Sequence, residues 1–198
     1  MQALGGHGSR LRMLPMQLIP AVEADYTAIV QLANLAYRGD GRGGRESWNV
    51  ESGVLAGQRL DESLLREELA TKPQAHLLTF REAAGDKILG MVWLDPQPDG
   101  SWYLGLLAIR PHLQMRGLGH SLLAAAEDYA SVRGARRLRM TVIYLRTTLI
   151  AWYERRGYRL TGETEPFPYG DERYGRPLRD DLYFAVLEKR LNSPAFPD

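Results

Sequence analysis

Apolar residues recur along the chain in two periods, and the change from one to the other divides it into helices and strands. Val22, Tyr26, Ile29, Ala33 and Ala36 follow helical spacing, with Asp25 near the start and Gly39 past the end. Leu64, Leu65 and Leu69 mark a second, shorter helix, capped by Asp61 and stopped at Lys72-Pro73. A third runs through Leu118, Leu122, Ala126, Tyr129 and Val132 and ends at Gly134. The fourth spans Leu149 to Arg156, with Thr147 or Thr148 as its cap and Gly157 terminating it. Strands are predicted at 17–20, 76–81, 88–94, 102–109, 138–143, 158–161 and 182–187, with turn chemistry at Ala84-Gly85-Asp86 and Pro96 to Gly100. The order β-α-α-β-β-β-α-β-α-β-β is that of an α+β chain with a mixed sheet, in which a meander feeds a strand-helix-strand crossover.

Composition narrows the possibilities. A chain of 198 residues holds one ordinary domain. Residues 1–15 lack any apolar period and read as a flexible leader, residues 16–191 as the domain, and 192–198 as a C-terminal tail. The formal net charge of +1 supplies no global field toward nucleic acid or an anionic membrane. No apolar run approaches the roughly 18 residues that a membrane span needs. There is no cysteine, and the four histidines are widely spaced, so neither a thiolate nor a zinc pattern is present and no metal is expected. The leader has no acid before Glu23 and no signal-peptide core, and a soluble cytoplasmic protein is the expectation.

The chemistry concentrates at Gln114-Met115-Arg116-Gly117-Leu118-Gly119, between the strand ending at Ile109-Arg110-Pro111 and the helix that follows. The first amides of a helix have no internal partners, so a strand, a two-glycine turn and a helix can cradle a phosphate. Glycine at 117 and 119 keeps a Cβ from holding the ligand away and permits φ > 0. A tight strand-to-helix turn is the simpler reading of the same residues. A dinucleotide-binding fold places its glycine turn after the first strand; here the turn follows the fourth.

The segment from Ile109 to Gly119 resembles the acetyl-CoA-binding motif of the GNAT family, the Gcn5-related N-acetyltransferases. Ala151-Trp-Tyr-Glu-Arg-Arg-Gly-Tyr158 is similar to the segment that closes the fourth helix in that family. The resemblance implies the GNAT fold over about residues 16–191: a mixed, mostly antiparallel sheet of about seven strands flanked by about four helices. It implies direct acetyl transfer from acetyl-CoA to a primary amine in a ternary complex, with no metal. The strand edge at Leu107, Ala108 and Ile109 would receive the pantetheine arm, and Gln114 with the amides of Met115, Arg116, Gly117, Leu118, Gly119 and His120 would hold the pyrophosphate. Tyr153 becomes the general acid or thiol hydrogen-bond donor. Arg146 stands where many members carry a coenzyme-binding Asn.

Elementary acid–base chemistry limits these roles. A phenol near pKa 10 protonating a thiolate near 8.5 outright is uphill by about 2 kcal/mol, so a hydrogen bond from Tyr153 to developing sulfur charge is the safer assignment. Freeing a lysine-like amine of its proton at pH 7 costs about 4.6 kcal/mol, and a base or water relay must supply part of it. The strand from Ser101 to Ile109 has no carboxylate for that purpose. Glu46, Glu51, Glu163, Glu165, Asp180 and Asp181 remain as candidates, and Glu51 is the one carried forward. Trp48, Glu165, Phe167 and Tyr169 are the expected acceptor residues, the last three in a stretch at 163–181 read as irregular and suited to a cation. Arg38, Arg42 and Arg45, in a glycine-rich loop, point instead to an acceptor that also carries an anion. A small-molecule or amino-acid-like amine satisfies both, and a homodimer is compatible. A non-catalytic acyl-CoA-binding module on the same fold is the alternative, followed by another phosphate ligand at the glycine turn.

Overall fold

The computed structural model describes residues 16–39, 51, 53–114, 117–171, 173 and 175–192. The predicted leader, Trp48 and the other loop residues from 40 to 50, Met115, Arg116 and nearly all of the predicted tail lie outside them. The elements are β1 (Gln17–Pro20), α1 (Tyr26–Arg38), β2 (Leu55–Ala56), α2 (Glu62–Thr71), β3 (His76–Arg81), β4 (Gly90–Pro96) and β5 (Ser101–Ile109). There follow α3 (Leu118–Val132), β6 (Arg137–Ile143), α4 (Thr147–Glu154), β7 (Arg159–Pro166), β8 (Arg176–Pro177) and β9 (Tyr183–Arg190). Seven strands form one sheet in the order β1-β3-β4-β5-β6-β9-β7, antiparallel except for β5 beside β6. The expected meander and crossover are therefore present, with α3 as the crossover helix.

Two apolar clusters sandwich the sheet. Leu122, Leu123, Ala126 and Ala130 of α3, with Ile150 and Tyr153 of α4, pack on Leu78, Val92, Leu104, Leu138 and Leu187. On the opposite face Ile29, Leu32, Ala33 and Ala36 of α1, with Leu64 and Leu65 of α2, cover Leu77, Met91, Trp93 and Ala108. Val132, expected on the buried stripe of α3, is exposed, because the row through Leu122, Ala126 and Ala130 runs at i+4 and leaves it to one side.

A bulge in β5 sets up the site. Met91 pairs with Ala108 and Trp93 with Gly105, so Leu106 and Leu107 together oppose Val92. Leu106 has φ of 47°, a left-handed value that costs a branched side chain strain and is held here by the surrounding ladder. The extra residue reverses the alternation. Trp102 and Leu104 face the α3/α4 side before it, and Leu107 and Ile109 face that side after it. Beyond the bulge the chain presses on β4: a Cβ at Gly90 would lie 2.5 Å from Ile109 Cδ1 and 2.9 Å from the Ala108 carbonyl.

Asp25 stands near the start of α1 as read, and its side chain accepts from the Val22 amide and from two nitrogens of buried Arg81. Several local expectations change. α4 begins at Thr147 with Arg146 at its N-cap and no side-chain cap bond, so neither threonine caps it, and it ends at Glu154. The strand predicted to stop at Thr161 continues to Pro166, because β9 supplies a pairing edge that local propensity does not reveal. β2 and β8 pair only with each other, and β8 interrupts the stretch read as irregular. Among the described residues no helix is long and apolar enough to cross a membrane.

Candidate active site

β5 and β6 pair only from Ser101–Tyr103 to Arg137–Arg139, and the remainder of the two strands diverges. That fork, with α4 beneath it, shapes two clefts.

The smaller, of about 330 Å³, lies between the start of α3 and α4. It gathers Leu107, Ile109, Gln114, Gly117, Gly119 and His120 of the predicted coenzyme residues. Gly117 is the N-cap of α3 at φ 79°, where a Cβ would be strained. Gly119 is helical, and a Cβ there would make an ordinary contact of 3.6 Å with Trp152, so the left-handed requirement inferred for both glycines holds at Gly117 alone. Gln114 Nε2 donates to the Ile109 carbonyl at 3.1 Å and braces the turn. Of the other predicted coenzyme residues that the structure describes, none has a side chain lining this cleft. Ala108 is buried against α1 and α2, leaving only its backbone available, and half-buried Leu118 packs on the core. Trp152 and Arg156, which sequence reasoning passed over as ligands, line this cleft, with the Arg156 guanidinium 3.6 Å above the Trp152 ring.

The larger cleft, of about 840 Å³, follows the fork across the α1/α2 face. Tyr153, Leu107 and Leu149 belong to both clefts, so the phenol predicted as a proton or hydrogen-bond donor stands at their junction. Burial pushes its pKa well above 10, and the neighbouring phenols Tyr37 and Tyr103 add to that against Arg146 and Arg156. Tyr37 is likewise pushed up by burial, to about 12. Tyr103 reaches across the fork, its hydroxyl 3.2 Å from Thr141 Oγ1.

Arg146 lies in this larger cleft and not among the residues of the smaller one, 3.8 Å from Glu51 Oε1. Glu51 Oε2 accepts from Arg38 at 2.6 Å, so both carboxylate oxygens face guanidinium groups. Glu165 and Phe167, two of the expected acceptor residues, line the cleft. Tyr169 does not: its hydroxyl accepts from the Leu182 amide at 2.6 Å and its ring packs edge-on against Phe167. Of the other base candidates, Glu163 is paired with Arg139, and Asp181 is held at about 2 by hydrogen bonds from Arg179 away from the cleft. Glu46 lies outside the described residues.

Residues 37–158 match the sequence profile of the acetyltransferase (GNAT) family. The chain belongs to that family. A search of curated protein sequences finds no match. Solved structures share the GNAT fold at low identity. An N-acetyltransferase from Staphylococcus aureus Mu50 is 16% identical at a TM-score of 0.64, over 90% of this chain and 99% of that one. The ribosomal-protein-S18-alanine N-acetyltransferase of Escherichia coli is 16% identical at 0.58, over 93% and 100%. The ribosomal-protein-alanine N-acetyltransferase of Brucella melitensis is 19% identical at 0.62, over 88% and 99%. The fork and the glycine turn in this GNAT chain thus lie on a fold shared with these acetyltransferases.

Proposed function

We propose that this GNAT protein transfers the acetyl group of acetyl-CoA to a primary amine of a small molecule, by direct attack in a ternary complex. The observation that carries the reading is the position of Tyr153 at the junction of a cleft built on a helix N-terminus and a cleft opened by the β5/β6 fork. The smaller cleft suits the coenzyme: the first amides of α3 and the αL glycine offer donors to a diphosphate, and Arg156 adds a cation. When bound, the thioester supplies an activated acyl carbon and a thiolate leaving group. Tyr153 keeps its proton at neutral pH, as its raised pKa favours, and is placed to donate a hydrogen bond toward the sulfur. Leu107 and Leu149 exclude water at the junction. Glu51, which adjoins Tyr37 in the larger cleft, receives the ammonium proton directly or through a water, and Arg38 and Arg146 hold it in place.

Calorimetric titration of acetyl-CoA into the wild type and into a folded Gly117→Glu, Gly119→Glu variant tests the coenzyme site. Saturable binding lost in the variant supports it, and no binding by the wild type overturns it. Thiol release with a panel of amines then tests catalysis. Coenzyme binding without turnover of any amine favours the non-catalytic acyl-CoA module instead.

A further inference from the structure

Arg59, Arg146 and the carboxylate of Glu51 share the wall of the larger cleft with Tyr37. Glu51 is shared by Arg38 and Arg146. Arg59 is half-buried, with its guanidinium carbon 5.4 Å from the centre of the Tyr37 ring. Among the described residues Arg59 forms no ion pair. Its place is fixed from behind: Asn34 Oδ1 accepts from the amides of Arg59 at 2.6 Å and Leu60 at 3.3 Å, while Asn34 Nδ2 donates to the Leu60 carbonyl at 2.7 Å. A guanidinium that is partly desolvated, stacked and anchored through its backbone is preorganised to grip an anion with its planar fork. Tyr37, Arg59 and Tyr153 all line this one cleft.

We propose that Arg59 is a specificity-determining residue that binds a carboxylate carried by the acceptor amine, making amino acids the preferred acceptor class. The inference rests on the N-acetyltransferase reading above. The loop arginines at 42 and 45, from which the amino acid sequence alone suggested an anionic acceptor, are not needed for it. Arg38, the third of that set, is occupied with Glu51 and the Gly57 carbonyl.

The test compares kcat/KM for a set of amino acids, their C-terminal amides and aminoalkyl phosphates, read by thiol release from acetyl-CoA, in wild type, Arg59→Ala and Arg59→Lys. Loss of a charge-assisted hydrogen bond corresponds to about tenfold or more. Wild type is expected to favour acids over amides by at least that factor, through KM. Arg59→Ala should bring the ratio near one, and Arg59→Lys should restore part of it. Equal use of acids and amides by wild type, preference for the phosphates, or an undiminished ratio in Arg59→Ala would each overturn the assignment. Calorimetry on the same proteins distinguishes the levels of failure. Acetyl-CoA binding with turnover of amides alone removes the carboxylate anchor but keeps the acetyltransferase; binding with no turnover of any amine removes both.

Discussion

The hydroxyl of Tyr103 and Oγ1 of Thr141 lie 3.2 Å apart, joined across the fork two residues past the last paired position of β6. This bond ties the floor of the larger cleft where the ladder no longer does. Tyr103→Phe and Thr141→Val should each cost about 0.5–1.5 kcal/mol in denaturant unfolding. The double variant should lose less than the sum, because each single change already breaks the bond. Additive losses would show that the contact carries no energy.

Gly117 and Gly119 should respond in opposite ways to alanine. At Gly117, with φ of 79°, Ala should cost about 1–2 kcal/mol of stability. At Gly119, inside α3 with only an ordinary contact to Trp152, Ala should be neutral or stabilising by up to about 1 kcal/mol. Its methyl group lines the smaller cleft, so coenzyme affinity should fall in spite of the unchanged or raised melting temperature. Thermal denaturation beside calorimetry separates the two effects.

Tyr153→Phe should lower kcat by about 10- to 100-fold, the value of one hydrogen bond to developing charge. The variant should fold normally, since the ring packing against Trp152 and Tyr158 is kept. An unchanged kcat would remove Tyr153 from the reaction.

Alkaline pH should expose the buried phenols. Burial raises Tyr37, to about 12, and raises Tyr153 and Tyr158 as well. The unfolded chain releases these protons near pH 10, earlier than the folded one. Their contribution to stability is therefore complete below pH 10 and is lost as pH rises through 10 toward 12 and beyond. Urea midpoints measured from pH 8 to 11.5 should fall in the upper part of that range. Tyrosinate absorbance should show these residues ionising only on unfolding.

The Asp25–Arg81 pair should be the costliest polar interaction to break. Both side chains are nearly buried, and the two Arg81 nitrogens reach the two carboxylate oxygens at 2.9 and 2.7 Å. Asp25→Asn should destabilise by about 3–5 kcal/mol by leaving a buried cation uncompensated. Burial works against the charge on Asp25, but hydrogen bonds from Arg81 and the Val22 amide outweigh it and hold the carboxyl below its ordinary 3.8. Its contribution is thus present above about pH 3.8 and lost as pH falls through the lower folded value.

What the amino acid sequence made legible was whatever is decided within a few neighbours. The span of β3, the Asp61 cap of α2, whose Oδ1 accepts from the Leu64 amide, and the turn at Gly117 all follow from local chemistry. β2 and β8 did not, because two-residue strands have no period of their own and exist only through each other. The glycine turn and Tyr153 carry motifs and could be singled out from them. Tyr37 of α1, Arg59 of the loop before α2 and Tyr103 of β5 lie far apart in the chain and come to one cleft only in the fold. Tyr103 was hidden by its position in an apolar run. Arg146 and Glu51 were singled out, but their pairing depends on a contact across 95 residues of chain.

Gly90 sits on β4 and lines neither cleft, yet it sets how far back the end of β5 can rest. With the Ala108 carbonyl and the Ile109 side chain already at its surface, any larger residue at position 90 would act as a wedge, driving the wall at Leu107 and Ile109 outward into the smaller cleft. The proposed coenzyme cleft can thus be shut from behind, by a residue that does not line it.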